Sequence, residues 1–326
     1  MITVTKQLPT PTYVLDTYWR FAAARQEIFF NRISGKTLLT ADPILLKHKF
    51  TNAYRAADRV SQYLISEVIY KGNQSPDELL FRILLFKLFN KIETWELLQH
   101  ELGDVTWANY SFKTYSQVLY QALQAGEPIY SGAYMMASGS SAYGYARKHE
   151  NHLKLIEHMM HAQLADHIVN AKSLEAVYEL LLSFPTIGKF LAYQYAIDIN
   201  YSNLTNFSEM DFVMPGPGAK DGIRKCFSSL GDYSEADVIR YVTDRQEQEF
   251  ERLGIYFKSL WGRRLQLIDC QNLFCETDKY ARVAHPEVNG ISKRTRIKQL
   301  YSMIDRNIDY FFPPKWGLNS RLNIVP

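Results

Sequence analysis

One stretch constrains the chain more than any other: FPTIGKFLAYQYAIDINYSNLTNFSEMDFVMPGPGAKDG, from Phe184 to Gly222. Pro185 fixes its own φ and Gly188 accepts a positive one, so the two bracket a tight turn between helices. The spacing predicts one helix ending before Phe184 and an amphipathic helix running from Gly188 to about Asn200. The first amides after Gly188 have no helical acceptor, so they form a ready anion site, such as one for a DNA phosphate. A polar loop leads to Asp211, which stands just before a Pro-Gly-Pro-Gly turn. That turn opens a second short helix, AKDGIRKCF, whose amides with Gly216, Gly218 and Lys220 offer another phosphate cradle.

The rest of the chain reads as helices. Tyr18, Phe21, Ala22, Arg25, Phe29 and Arg32 recur at helical spacing over Thr17–Ile33. Asp42-Pro43 is an N-cap followed by a good first residue, and the pattern predicts one helix through to Tyr70. On that helix Asn52, Arg55 and Arg59 share a face, as do Tyr54 and Asp58, and such groups beside an aromatic suit a base or sugar-phosphate site. Ser75-Pro76 starts a helix that is apolar on nearly every turn. Phe112–Ala125, Tyr145–Ala171, Ser173–Leu182, Ser234–Tyr256 and Gly262–Ala284 complete the helical series. Strand signals are scarce, so the fold class is all-α.

Between two of these helices lies PIYSGAYMMASGSS, a glycine- and serine-rich loop. Tyr134 and Met135 on it are placed to wedge into the gap left by an extruded nucleotide or to stack on its base. The helix after it carries His149, His152, His158, His161 and His167. Glu157/His161 and His158/His161 have ligand spacing, but no dedicated third ligand is identifiable, so no metal is expected. The basic run Lys293–Lys298 could follow phosphates, though a solvated face is the commoner meaning.

Composition excludes several classes. With 326 residues and 47% hydrophobic content the chain can build a sizeable core. Net charge is only +3, so any nucleic-acid contact must rest on a local basic face. Three cysteines, Cys226, Cys270 and Cys275, argue against a disulfide framework and cannot supply four thiolates to an iron–sulfur cluster. The first residues lack a signal-peptide core, and no apolar run is long enough to cross a membrane, so a cytoplasmic location is expected. No G-x-x-x-x-G-K-[ST] phosphate loop occurs. The expected organisation is a leader over 1–16 and a two-lobed helical domain over 17–285 around a central cleft. Its hairpin lies near 174–200, and a basic helix and tail over 286–326 pack on it.

Several segments together resemble the α-glutamyl/putrescinyl thymine pyrophosphorylase family, a branch of the helix-hairpin-helix DNA glycosylase fold. They are RQEIFFNRISG, ADPILLKHKFTNAYRAADRVSQYLI, SGAYM, FPTIGKFLAYQYAIDINYS, MDFVMPGPGAKDGIRK and FCETDKYAR. The resemblance implies that Gly188 is the second hairpin glycine, that Thr186 replaces the first, and that Asp211 is the catalytic aspartate. It places Thr186, Gly188 and Lys189 on the DNA backbone, and Asn52, Tyr54, Arg55, Asp58, Arg59, Tyr134, Met135 and Phe212 around the base. Phe190 stands where bifunctional members carry a nucleophilic lysine. The implied activity is therefore a monofunctional glycosylase, similar to the phage-defence member that excises glucosylated 5-hydroxymethylcytosine. It would act on duplex DNA with modified bases and need no cofactor, membrane or obligate protein partner. The alternatives are transfer of an amino acid or polyamine onto a pyrophosphorylated 5-hydroxymethyl-pyrimidine, and a sensor that binds modified DNA without chemistry.

Overall fold

The structure is a computed structural model that describes residues 6–134, 136–302 and 308–322. The described residues are mostly helical, with two short strands, as the all-α reading requires. They divide into two compact units, and the chain passes between them more than once. The first unit holds the residues up to Asp58, then Phe212–Asp309 and the segment from Gly317; the second holds Arg59–Asp211 and Tyr310–Trp316.

In the first unit the strand β1 (Thr10–Pro11) precedes helix α1 (Val14–Ile33) and the short α2 (Pro43–Lys47). The described part of the leader expected over 1–16 contains this strand and the first residues of α1. Asp42 caps α2 by accepting from the amides of Ile44 and Leu45, as its sequence position predicts. The single helix expected from Pro43 to Tyr70 does not form. The chain leaves α2 at His48, runs extended, and makes only a 3₁₀ turn at Arg55–Ala57. Asn52 is the reason: its amide donates to Asp58 Oδ1 (2.7 Å) and its side chain donates to Ala57 O (2.8 Å). Those local bonds replace the helical ladder, a competition that Asn and Asp side chains often win.

The second unit follows with α3 (Arg59–Tyr63), a π-helical turn (Leu64–Ile69), α4 (Pro76–Phe89), α5 (Ile92–Leu102), α6 (Phe112–Gln124) and α7 (Ser140–Tyr143). Then come α8 (Lys148–His161), α9 (Leu164–Val169), α10 (Leu174–Leu182) and α11 (Lys189–Asn200). Helix α4 is buried along its whole length from Glu78 and packs against α5, α8, α9 and α11, so it is the core of this unit. Its start is tied by Glu78, whose carboxylate accepts the amides of Trp107 (2.7 Å) and Ala108 (2.9 Å). It ends at Asn90, which adopts the left-handed conformation. The expected helix over Tyr145–Ala171 is split at Gln163, φ 53°, with no glycine or proline to announce the break.

On return to the first unit the chain forms α12 (Pro217–Cys226), β2 (Phe227–Ser229), α13 (Glu235–Asp244), α14 (Gln246–Arg252) and α15 (Leu267–Ala284). Strand β2 pairs antiparallel with β1. Helices α12 and α15 make the closest approach in the unit. A Cβ added at Gly218 would lie 2.3 Å from Cys275 Sγ, and one at Gly222 would lie 2.0 Å from the Phe274 carbonyl oxygen. The two glycines are four residues apart, so they clear one stripe of α12 for the α15 backbone. Around this seam Tyr18, Trp19, Ile223, Val238 and Phe274 are fully buried, and the Tyr18 ring lies 4.5 Å from that of Phe274. Lys225 and Asp278 form a buried ion pair across it at 3.0 Å, and Arg282 joins Asp278 at 2.5 Å. The run Lys293–Lys298, expected on a basic helix, contains no helix. Its lead-in is held by Asp221, which accepts from Ser292 N (2.7 Å) and from the Ser292 hydroxyl.

Replacing Gly222 by Ala forces the two helix backbones apart. The expected cost is about 2–4 kcal/mol, read as a lower urea midpoint; an unchanged midpoint would refute the close-approach account.

Candidate nucleic-acid site

The hairpin in the second unit is built as the sequence predicts in outline and differently in detail. Helix α10 ends at Leu182, and the turn is closed by Phe184 N–H to Leu181 O (3.3 Å) and Ile187 N–H to Phe184 O (3.3 Å). The positive φ falls on Thr186 (70°), whereas Gly188 is extended (φ −83°, ψ 167°). The strained position is therefore a β-branched residue, one of the types that tolerate it least. Thr186 is held there from the side: its hydroxyl lies 3.6 Å from Met136 Sδ, and a Cβ placed on Gly139 would be 3.4 Å from its methyl group. Gly188 is the N-cap of α11 and no side chain caps the helix. Gly188 and Lys189 are exposed, so the uncapped first amides and a lysine share one outer surface. This is the combination that binds phosphate oxygens.

The glycine- and serine-rich loop lies against this hairpin. Tyr134, φ 55°, stacks on Phe190 in the first turn of α11, with ring centroids 5.8 Å apart and planes at 14°. Lys87 Nζ sits 4.5 Å from the Tyr134 ring centroid. Lys87 is buried, and so is its partner Asp198 on α11, at 3.0 Å. The loop's base is fixed by Ser131 N–H to Phe89 O (3.0 Å) and Asn90 Nδ2–H to Ser131 Oγ (3.2 Å). His152 bonds the Tyr130 hydroxyl (3.0 Å) and Ala137 O (2.8 Å). Burial, with Lys148 nearby, drives the His152 imidazole down to about 4, so it is a neutral strut at physiological pH. Met135 lies outside the described residues.

Asp211 ends a loop that Asn200 organises. The Asn200 carboxamide bonds Phe207 O (2.9 Å), the Thr205 hydroxyl (2.9 Å) and Phe207 N (3.0 Å). Lys315 adds bonds to Ser202 O (2.9 Å) and Thr205 O (2.7 Å). Asp211 itself is exposed, in a turn closed to Ser208 O. Arg59, on α3 of the same unit, is half-buried and 4.0 Å from Glu93.

The remaining candidates belong to the first unit. Phe212 is half-buried there. Gly216 is the buried N-cap of α12, Lys220 is half-buried, and Gly218 is explained by its contact with Cys275. At this turn Gly218 serves helix packing against Cys275.

Asn52 and Asp58 come together in a folded polar turn instead of on a helical face, while Tyr54 and Arg55 are tied to other segments of the unit. Tyr54 is 1% exposed, and its hydroxyl donates to Arg263 O (2.5 Å) and accepts from Leu260 N (3.2 Å). The Arg55 amide donates to Asp269 Oδ1 (2.8 Å). The Tyr54 side chain therefore holds backbone, and with Tyr54 and Arg55 each 1% exposed neither offers a base-contacting surface. Arg25 bonds Thr51 O (2.8 Å) and Asn52 Oδ1 (3.0 Å), and Glu276 accepts the Thr51 amide (3.0 Å). Enclosure of the Asp58 carboxyl raises it to about 7, partly offset by the Asn52 amide and Arg25.

Lys87, Asp198 and Asn90 were not singled out by sequence reasoning, and Arg25 only as a helical position. The available signals were a lone lysine in the apolar run LLFRILLFKLF and a lone aspartate in LAYQYAIDI. Among the described residues no group of three or more His, Cys, Asp or Glu could hold a metal ion.

Two expectations follow. Thr186→Gly relieves the left-handed strain and stabilises the protein by about 1 kcal/mol, seen as a rise in Tm; a fall would show that the Thr186 side-chain contacts outweigh the strain. For Asp58 the folded carboxyl titrates about 7 against an ordinary 3.8. Between those values the unfolded chain releases its proton first, so this group costs stability as pH rises, and the cost is constant above about 7. The Tm of Asp58→Asn relative to the parent should climb between pH 4 and 7 and then level; a flat difference would contradict it.

A family described as the helical domain of 5-hmdU DNA kinase matches residues 12–290. A 5-hmdU DNA kinase of Bacillus phage SP10 is 29% identical over 287 residues, covering 81% of this chain and 44% of the phage protein. The chain thus spans less than half the length of that relative. No solved structure matches. These findings overturn the glycosylase reading: the relative is a kinase, and neither base excision by Asp211 nor transfer of an amine has support from them. The resemblance survives only at the coarser level of a family tied to modified thymine in DNA. With the match running from residue 12 to residue 290, this chain belongs to the family of 5-hmdU DNA kinase helical domains.

Proposed function

We propose that the chain binds duplex DNA carrying a 5-hydroxymethyl-pyrimidine and holds that nucleotide for phosphorylation of its hydroxymethyl group. The reading rests on the family match together with one feature, the uncapped and exposed start of α11 beside the stacked Tyr134 and Phe190 rings. The Gly188, Lys189 and Phe190 amides would take a backbone phosphate, with the Lys189 ammonium adding a charge. Tyr134 and Phe190 would offer an aromatic surface on which the modified base and its neighbour stack. Thr186 would shape the turn that presents those amides.

Phosphoryl transfer depends on positioning and charge neutralisation around the nucleotide phosphates. The sequence has no phosphate loop of the Walker type. The proposal therefore places the nucleotide outside residues 12–290 and gives this region the acceptor DNA. Phosphorylation needs the acceptor hydroxyl in line with the transferred group, so a rigid grip on the DNA backbone contributes directly.

Fluorescence anisotropy with two duplexes that differ by one thymine replaced with 5-hmdU tests this. Several-fold tighter binding of the modified duplex is expected. Lys189→Glu should weaken both duplexes alike and reduce the salt slope by about 1, as removal of one phosphate contact does. Equal affinity for the two duplexes, or no binding, would overturn the reading. Mass spectrometry of the DNA after incubation with Mg-ATP reads the second part: phosphorylated nucleoside made by the chain alone would contradict a nucleotide site elsewhere.

A further inference from the structure

Helix α4 is buried on every side from Glu78 onward and mostly apolar, and yet it carries Lys87 with 3% of its surface exposed. Burying an ammonium is expensive, and a hydrophobic side chain of similar volume commonly makes a more stable core. Three of the groups that hold the charge are Asp198 at 3.0 Å, Asn90 Oδ1 at 2.8 Å, and the ring of Tyr134 at 4.5 Å. Two of these already belong to the scaffold. Asp198 is 0% exposed on α11, and Asn90 is the left-handed cap of α4. The third belongs to a loop, at a residue whose own backbone is left-handed.

From this geometry we infer that Lys87 is a positioning residue: anchored by Asp198 and Asn90, it holds the Tyr134 ring against Phe190 and so sets how the site discriminates the modified nucleotide. This deepens the binding reading above and rests on it. An ammonium over a ring attracts the ring's negative face, and a desolvated ammonium does so more strongly than one in water. Asp198 supplies the counter-charge that keeps the lysine inside the protein. Asp198 and Phe190 are both on α11, and α11 begins at the hairpin. The same helix thus carries the phosphate-binding amides, one ring of the stack and the anchor of the lysine that holds the other ring.

The test separates this role from mere stability. K87M/D198N removes both charges together, so no uncompensated ion is left in the core. The double variant should fold, bind unmodified duplex within about twofold of the parent, and lose most of its preference for 5-hmdU duplex. Tyr134→Ala should lose the same preference, and the triple variant should lose no more, because both changes act through one ring. A preserved preference in K87M/D198N, or losses that multiply in the triple variant, would overturn the inference.

A readout without DNA covers the case in which the double variant is unstable or the parent shows no preference. With 3-fluorotyrosine at position 134, the ¹⁹F resonance should move toward its unfolded position in Phe190→Leu and in Lys87→Met. An unmoved resonance in both would sink the inference while leaving the binding proposal untouched. Failure of the parent to prefer 5-hmdU duplex, with the resonance shifted as expected, would instead remove the binding reading and with it the discrimination role.

Discussion

The second unit depends on an ion pair where none is needed for folding. Lys87 and Asp198 meet at 3.0 Å in a largely apolar core. The pair joins the central helix α4 to α11 in the last turn of each, and through Asn90 and Tyr134 it reaches the loop. Apolar packing would join the helices as well, but it would not direct a particular ring on a glycine-rich loop. A buried charge has few acceptable environments, so it fixes geometry more sharply than dispersion contacts do. The same logic recurs in the first unit, where Lys225, Asp278 and Arg282 bridge α12 and α15. There the neighbouring seam is closed by Gly218 and Gly222, and the charges tie a core instead of a loop.

The hairpin shows how a motif can keep its shape with altered chemistry. Glycine is the residue for a left-handed turn position, and this turn has its positive φ on threonine. The strain is held by packing from Met136 and from the small Gly139. Gly188 needs no special backbone, since its dihedrals suit any residue and nothing lies within 4 Å of an added Cβ. What a side chain there would do is stand in front of the α11 amides. The glycine is thus better explained by open access to the helix start than by the turn.

Much of the secondary structure was legible from residues alone. Asp42-Pro43, Ser173 and the alternation of Pro and Gly at 215–218 mark helix starts that occur in the structure. The stretch 48–58 was not, because the local bonds of Asn52 act there together with Arg25 and Glu276, which are distant in sequence and bond its backbone. Helical periodicity put Asn52, Arg55 and Arg59 on one face, whereas the local bonds of Asn52 put its side chain inward and Arg55 against Asp269. The break at Gln163 also had no local signal. The site was legible in part. Tyr134 and the hairpin were visible as a glycine-flanked aromatic and a Pro-Gly corner, while the lysine beneath the ring needed the tertiary structure. Function was the least legible level: the same segments that suggested glycosidic cleavage belong to a family described by phosphorylation of DNA.

The central claim is that Tyr134 and Phe190 face a nucleotide whose phosphate rests on the start of α11. Photo-crosslinking tests it most directly. A duplex with 5-iodouracil next to the 5-hmdU position is irradiated in complex with the protein, and the linked peptides are sequenced by mass spectrometry. The account predicts adducts on Tyr134 or Phe190. Efficient crosslinking confined to other peptides would contradict it.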